Sequence, residues 1–486
     1  MDEADALLAV RRNKLATLRG RGIDPYGRRF DKSATLSALA AAFRDGQSVT
    51  TAGRLSAKRR HGKAAFADLR DGSGKLQLLI REEQVGAEAY ALFDMLDLGD
   101  IVGVEGTLTK TRTGEITVEV ARFQVLAKSL RPLPEKWHGL KDQELRHRKR
   151  YLDLLANPPV RQAFELRSRL LHSLRQALAA QGYLEVETPM MQPLAGGAVG
   201  EPFTTMHNAL HLPLYLRLAP ELYLKRLLVG GFERVYELNR SFRNEGLSTR
   251  HNPEFTMLEA YAAYSDCEGM MRLTQELIVA AAQQTLQTTT VTYQGKPLEL
   301  GGAWKRWSFT EALERRYGAT PEQGVEGLLA KLRRGEIKLR EGAAAKPETL
   351  SRSQVVKLIE ELVEPETKGQ PVFVTDYWTE LSPLAKSRAD RPAVAERFEL
   401  YLDGMELANG YSELNDPIEQ RQRFEAQKKA TGGEVQVDED FIEALEYGMP
   451  PAGGMGLGVD RLVMILADKP SIRDVILFPL LRPAAG

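Results

Sequence analysis

Phe242-Arg243-Asn244-Glu245, a loop of four residues, and then Arg250-His251-Asn252-Pro253-Glu254-Phe255 form the stretch that decides how this chain is built. An arginine beside a glutamate, with two more cationic side chains across a short loop, makes a clamp for a triphosphate, because guanidinium forks match phosphate oxygens in pairs. Immediately afterwards Phe255, Met257, Glu259 and Tyr261 alternate. In a strand all four face one side. An aromatic ring, a carboxylate and a phenol on one face are odd for a core and natural for a site.

Two further segments belong with this one. Gln181-Gly182-Tyr183-Leu184-Glu185-Val186-Glu187-Thr188-Pro189 reads as a helix stopped at Gly182 and followed by a strand ending at proline. In Gly454-Met455-Gly456-Leu457-Gly458-Val459-Asp460-Arg461 the glycines let a backbone approach closely, and the arginine can stack on a flat ring. Each segment alone is also compatible with a structural role. The common nucleotide signatures are absent: there is no G-x-x-x-x-G-K-[ST], and 454–458 lacks the G-x-G-x-x-G spacing. Phe398–Ala408 reads as a hairpin turning at Asp403-Gly404. Its two-residue loop pairs Tyr401 with Glu406 and sets Glu399 diagonal to Glu406 on the same face. Two carboxylates held together favour a hard cation, and Mg²⁺ bridging phosphates is the expected one.

At 486 residues the chain calls for two or more domains. Its 43% hydrophobic and 27% charged residues are those of a globular protein. Cys267 is the single cysteine, which excludes an internal disulfide and a cysteine cluster for zinc. Residues 1–22 mix arginine and lysine with apolar positions at helical spacing, unlike a signal peptide or a membrane span, so a cytoplasmic location is expected. Net charge is zero, but residues 1–150 hold 28 Lys/Arg against 20 Asp/Glu, a balance of +8 that leaves −8 on the rest. A basic front on an acidic body fits a polyanion docking at the N-terminal end.

Residues 1–45 read as a helical extension around the turn Asp24-Pro25-Tyr26-Gly27. Strand-like runs follow at Val49–Ala57, Ala64–Leu69, Lys75–Ile80, Asp100–Lys110 and Ile116–Leu126, with a helical stretch Glu83–Leu96 after the third. Five short strands so arranged predict an OB-type barrel over 46–130. On it, Phe66 and Gln77 lie on neighbouring strands, an aromatic face and an amide of the kind that recognise single-stranded RNA; Phe66 equally suits the barrel core. Residues 131–158 read as a linker, and 159–486 as a mixed α/β body with a charged, helical insertion at about 320–368.

In their order, the three segments resemble the signature motifs of class II aminoacyl-tRNA synthetases. Leu222–Tyr264 and Asn409–Pro479 are most similar to the lysine-specific branch, notably Tyr223–Glu233 and Gly410–Asp416. The resemblance implies an antiparallel catalytic sheet flanked by helices behind an N-terminal OB-fold barrel. It implies ATP and L-lysine as substrates, tRNA(Lys) as partner and acceptor, Mg²⁺ as cofactor, and a homodimer whose interface includes Gly182–Pro189. By it, Arg243 bridges the α-phosphate and the amino-acid carboxylate, Arg250 and His251 hold the outer phosphates, Phe255 and Arg461 sandwich the adenine, and Glu245 orients the nucleotide. Glu399 and Glu406 hold the metal.

For the amino acid, the resemblance assigns the side-chain ammonium to Glu413 helped by Tyr261, and the α-amino group to Glu221. Gly197 lines the pocket, with Glu259, Asn409 and Tyr411 nearby. An aspartate pocket needs a cation where Glu413 stands, which argues against the aspartate and asparagine enzymes. In related enzymes residues placed like Phe66 and Gln77 bind the central anticodon uridine, with Arg54 a candidate beside them. A protein-lysylating paralogue lacks the barrel, and a non-catalytic RNA-binding relative does not need the intact Arg243, Glu245 and Arg461. One departure stands out: Glu201 occupies a loop position where the lysine enzymes usually carry arginine.

Overall fold

The computed structural model describes residues 3–133, 140–198, 200–337, 367–430 and 436–483. The chain divides into two compact units, Met1–Lys141 and Asp142–Gly486.

In the first unit, β1 (Ser48–His61), β2 (Ala64–Arg70), β3 (Lys75–Arg81), β4 (Ile101–Lys110) and β5 (Ile116–Ala127) close a barrel in the order β1-β2-β3-β5-β4. Period two produces it: in β2, Ala65, Ala67 and Leu69 face the core, while Ala64, Phe66 and Asp68 face out. The Asp71 carboxylate tightens the β2–β3 turn by accepting from the Ser73 and Gly74 N–H groups at 2.7 and 3.1 Å. The helix Ala87–Met95 buries Tyr90 and Phe93 in the barrel core. Helices Glu3–Gly20 and Leu36–Ala41 flank the turn at residues 24–27.

The second unit is built on an eight-stranded sheet. Its strands are β6 (Leu184–Glu185), β10 (Arg234–Phe242), β11 (Glu254–Ala263), β14 (Lys305–Ser308), β15 (Pro371–Thr375), β16 (Arg397–Leu402), β17 (Met405–Ser412) and β18 (Ala452–Gly458). They run β14-β15-β16-β17-β18-β11-β10-β6, antiparallel except at the two edge pairs. A small sheet of β7 (Met191–Gln192), β8 (Thr204–His207) and β9 (Leu212–Leu216), and a hairpin of β12 (Thr290–Tyr293) and β13 (Lys296–Glu299), complete the strands described.

Helices Pro158–Ala180, Cys267–Leu286 and Val459–Leu466 cover one face. There Leu258 and Ala260 of β11 join Leu170, Leu277 and Leu462 in the main core. The opposite face of β11 turns Tyr261 toward the helix Glu221–Val229. The core is therefore one-sided along β11, and the other side is left for polar chemistry.

Two expectations need adjusting. The second half of the expected linker 131–158 is helical, Gln143–Arg148 and Arg150–Ala156, and falls in the second unit, with Arg150 buried and bonded to Asp153 at 2.6 Å. Of the expected insertion at about 320–368, residues 338–366 lie outside the described residues; the helix Gly324–Arg333 packs Val325, Leu328 and Leu332 beside Trp378.

Candidate active site

Strand pairing decides which side chains meet. Gly456 of β18 stands between Glu259 of β11 and Asn409 of β17, and Gly454 stands between Tyr261 and Tyr411. The glycines are required here. A methyl group on Gly454 would lie 2.0 Å from Glu413 Oε1 and 2.4 Å from the Tyr261 ring. The bare strand thus makes room for a carboxylate and a phenol brought in from separate segments.

The polar groups form a connected set. Tyr261 donates to Glu259 Oε2 at 3.0 Å, as residues sharing a strand face can. Tyr411 donates to Glu221 Oε1 at 2.5 Å, and Lys225 Nζ reaches the same oxygen at 2.8 Å. Lys225 also pairs with Glu413 Oε2, and both side chains are wholly buried. Neither Glu413 oxygen makes a hydrogen bond, so Oε2 is held by the ion pair, and Oε1 lies against the Gly454 backbone. Gly197, at φ +80°, packs against Glu221, whose Cβ lies 3.5 Å from where a glycine methyl would stand. Glu221, Glu259, Glu413, Tyr261, Tyr411 and Gly197 are therefore brought together, and Asn409 borders them through an amide oxygen that accepts from Arg397 at 3.0 Å.

Burial, and then the charge of Glu221, push the Glu259 carboxyl up to about 8. Burial also drives Glu413 well upward, against the opposing pull of Lys225. For Lys225 burial works against the charge, but Glu221 and Glu413 outweigh it and raise its pKa.

Arg243, Glu245 and Phe255 gather at the β10–β11 end. The Arg243 guanidinium lies 5.3 Å over the Phe255 ring, and its buried Nε has no partner. A methyl on Gly200 would stand 3.4 Å from both Arg243 Cδ and Glu245 Oε1. Arg461, expected across the adenine from Phe255, donates in the free protein to the Glu406 carbonyl at 2.7 Å and carboxylate at 3.1 Å, and to His251 Nε2 at 3.2 Å. Because arginine only donates, His251 accepts at Nε2 and carries its proton on Nδ1, which faces Ser248 Oγ at 2.8 Å. Packing around the ring, then the Arg461 charge, lower the His251 pKa. His251 is thus neutral at neutral pH rather than the cation the sequence suggested. Arg250 donates to the Gly404 carbonyl at 3.3 Å.

The acidic hairpin differs in register from the expected one. Tyr401 pairs with Glu406, but the register shifts by one at Leu400, so Glu399 faces Asn409. Glu399 is buried, accepting from Tyr377 at 2.6 Å, Tyr401 at 2.9 Å and Arg397 at 2.5 Å. Burial raises its pKa, the Arg397 charge opposes this, and Glu406 adds to the rise. The two carboxylates therefore sense each other. Among the described residues no group of three or more His, Cys, Asp or Glu gathers to hold a metal.

On the barrel, Phe66 is half-buried on the outward face, directly across from Arg59, with the His61 ring edge-on at 6.1 Å. It is not barrel core. Gln77 is buried; its amide donates to Glu115 at 3.1 Å and accepts from Thr117 at 2.9 Å. Arg54 is not brought beside Phe66. It pairs with Arg70, four residues along β2 from Phe66 and so about 13 Å away, and its guanidinium donates to the Gly99 carbonyl at 2.7 Å. Arg59 is the cation that neighbours Phe66.

Sequence reasoning missed Lys225, Arg397 and Arg59. Lys225 carried a signal: it follows Glu221 by four residues in a helix, the spacing of an ion pair. Arg397 carried none, because its partners Asn409 and Glu399 depend on the hairpin's register.

Residues 142–482 match the family of class II tRNA synthetases (D, K and N), and residues 49–126 match the OB-fold nucleic acid binding domain. The chain belongs to the class II tRNA synthetases. Within them the resemblance to the lysine enzymes is borne out. The chain is 53% identical to the lysine–tRNA ligase of Carboxydothermus hydrogenoformans, over 99% of both chains. It is 51% identical to that of Pelotomaculum thermopropionicum, over 99% of this chain and 96% of the relative, and 47% identical to that of Bacillus subtilis, over 99% and 98%.

Proposed function

We propose that the second unit activates L-lysine with ATP, forming lysyl-adenylate and pyrophosphate, and then transfers the lysyl group to the 3′ end of tRNA(Lys). The observation that carries this is a charge deficit. Three buried carboxylates, Glu221, Glu259 and Glu413, share the pocket, and among the described residues Lys225 is the one cation that forms an ion pair with any of them. With all three ionised, two more positive charges balance them; lysine brings two ammonium groups, whose arrival favours the ionised form of Glu259. Lys225 does not convert the site into an aspartate pocket, since two carboxylates already hold it.

The substrate carboxylate is the nucleophile. One of its oxygens bonds to the α-phosphorus, the bond to the bridging oxygen of pyrophosphate breaks, and no side chain needs to move a proton. Catalysis is then positioning plus stabilisation of negative charge as it builds. Arg243, with its unpartnered Nε beside Phe255 and Glu245, is placed to receive the α-phosphate and the carboxylate. Arg250 and His251 line the outer phosphates; a phosphate charge offsets what keeps His251 neutral. Glu413 Oε1 takes the side-chain ammonium with Tyr261 beside it, and Glu221 the α-ammonium, while Gly197, Glu259, Asn409 and Tyr411 complete the wall.

Glu399 and Glu406 fit Mg²⁺, an ion that uses one or two carboxylates and completes its shell with water and phosphate oxygens. Burial raises the Glu399 pKa and Glu406 adds to the rise, and a bound cation relieves the repulsion between the two. When bound, the metal neutralises phosphate charge. Before then Arg397 and Arg461 hold the two carboxylates in place.

Phe66 serves as the anticodon stacking platform, with Arg59 alongside and Gln77 presented on the neighbouring strand. A homodimer is supported by the exposed Leu184 on the edge strand β6 and the exposed Met191, Met206 and Leu212 on the small sheet. No helix among the described residues is long and apolar enough to cross a membrane, and we place the enzyme in the cytoplasm. Pyrophosphate exchange into ATP, run with each of the twenty amino acids, tests the whole assignment: it should depend on lysine. Exchange driven best by aspartate or asparagine would refute it.

A further inference from the structure

Lys225 has no part in the chemistry just described, yet it is the most completely enclosed cation of the pocket. It lies on the helix Glu221–Val229, fully buried, with its ammonium 2.8 Å from Glu221 Oε1, paired to Glu413 Oε2 and 5.5 Å from the centre of the Tyr411 ring. A buried lysine is normally costly and is kept where carboxylates surround it. Here it divides Glu413 in two: Oε2 is in the ion pair with Lys225, and Oε1 faces the bare backbone of Gly454.

We propose that Lys225 is a specificity-determining positioning residue, an internal cation that bridges Glu221 and Glu413 and holds both in place, so that the second oxygen of Glu413 is offered to the substrate's side-chain ammonium. This rests on the lysine-activating reading of the pocket. The groups facing Glu413 are Lys225 and Glu221 from the helix, Glu259 and Tyr261 from β11, and Tyr411 from β17. Of these Lys225 alone is a cation; Arg397 acts on the neighbouring Tyr411. Without Lys225, three carboxylates and two phenols crowd a dry space, and the easiest relief is protonation of Glu413. A protonated Glu413 no longer attracts an ammonium.

Lys225 also sets a length limit. Substrate and Lys225 ammonium groups bind opposite oxygens of one carboxylate, so a chain reaching beyond Oε1 meets a like charge. One that falls short leaves Oε1 unpaired. Neutral or acidic side chains leave the deficit standing.

The test compares wild type with Lys225→Met and Lys225→Ala in lysine-dependent pyrophosphate exchange between pH 6.5 and 9. Lys225→Met keeps the volume and loses the charge. Its KM for lysine at pH 7 should rise about tenfold for each unit that the Glu413 carboxyl moves upward, and should fall back toward wild type as pH is raised. Its kcat at saturating lysine should stay within a few-fold, since Lys225 touches neither reacting atom. Propylamine added to Lys225→Ala should restore a low KM, while propanol, of similar size and uncharged, should not. A KM for Lys225→Met that matches wild type across the pH range, or one raised equally at every pH, overturns the proposal. So does equal rescue by propanol. If wild type itself shows no lysine-dependent exchange, the pocket assignment has failed instead, and the two failures are distinguishable.

Discussion

Arg461 holds Glu406 twice, by the carbonyl at 2.7 Å and by the carboxylate at 3.1 Å, and reaches His251 with its other amino group. In the free protein the expected adenine-stacking arginine therefore occupies an expected metal ligand. Nucleotide and Mg²⁺ must displace or share that contact. Glu406→Gln keeps the shape and weakens both roles. Adenylate formation should fall, and the Mg²⁺ concentration giving half-maximal rate should increase, while the thermal midpoint stays close to wild type. Unchanged activity at limiting Mg²⁺ removes this pair from the site.

Glu413→Gln leaves the substrate ammonium and Lys225 without their shared counter-charge. Truncating one partner of such a buried pair costs roughly 2–5 kcal/mol, so kcat/KM for lysine should drop between about thirtyfold and several thousandfold. Ornithine, one methylene shorter, should be a poor but measurable substrate, because a pocket discriminates one methylene by only about 1–3 kcal/mol. Norleucine, uncharged, should be rejected far more strongly. A variant that activates lysine normally sinks the role given to Glu413.

Lysine binding should release protons. The Glu259 carboxyl, raised to about 8 by burial and Glu221, is mostly protonated at pH 7 in the free protein, and incoming ammonium groups favour its charged form. Affinity should therefore increase from pH 6 toward 8. The stability effect has the opposite sign. With a folded pKa above the unfolded one, the native state binds the extra proton between about pH 4.5 and 8, so this group's contribution to stability falls as pH rises through that window. Calorimetry at pH 7 in two buffers of different ionisation enthalpy reads the release directly, and Glu259→Gln should diminish it. No proton release in wild type contradicts the prediction.

Phe66→Ala should remove about 1–3 kcal/mol of base stacking. The tRNA KM should rise, while lysine activation without tRNA is nearly unaffected. Because Phe66 faces outward, the barrel should keep its fold. Loss of adenylate formation together with loss of tRNA charging would instead mark Phe66 as a folding residue.

The homodimer is checked by equilibrium sedimentation at micromolar concentration. A species of twice the chain mass is expected, and charged substitutions at Met191 and Met206 should shift it toward monomer. A monomer throughout refutes the pairing.

Sequence alone determined the barrel, the alternation along β11 and the order of the three motif segments. These rest on local periodicity, turn chemistry and motif order, which are properties of contiguous residues. The hairpin pairing of Tyr401 with Glu406 was legible for the same reason: a two-residue turn sets it. Beyond Leu400 the local rule failed, because a one-residue bulge moved Glu399 opposite Asn409 and gave it Tyr377, Tyr401 and Arg397 as partners. Residue roles that depend on charge were decided only by tertiary structure. Glu413 became an ion-paired carboxylate because a helix some 190 residues earlier delivers Lys225 to it, and His251 became neutral because packing buries its ring and Arg461, 210 residues later, donates to it. Protonation follows burial and neighbours in space, and neither can be read from neighbours along the chain.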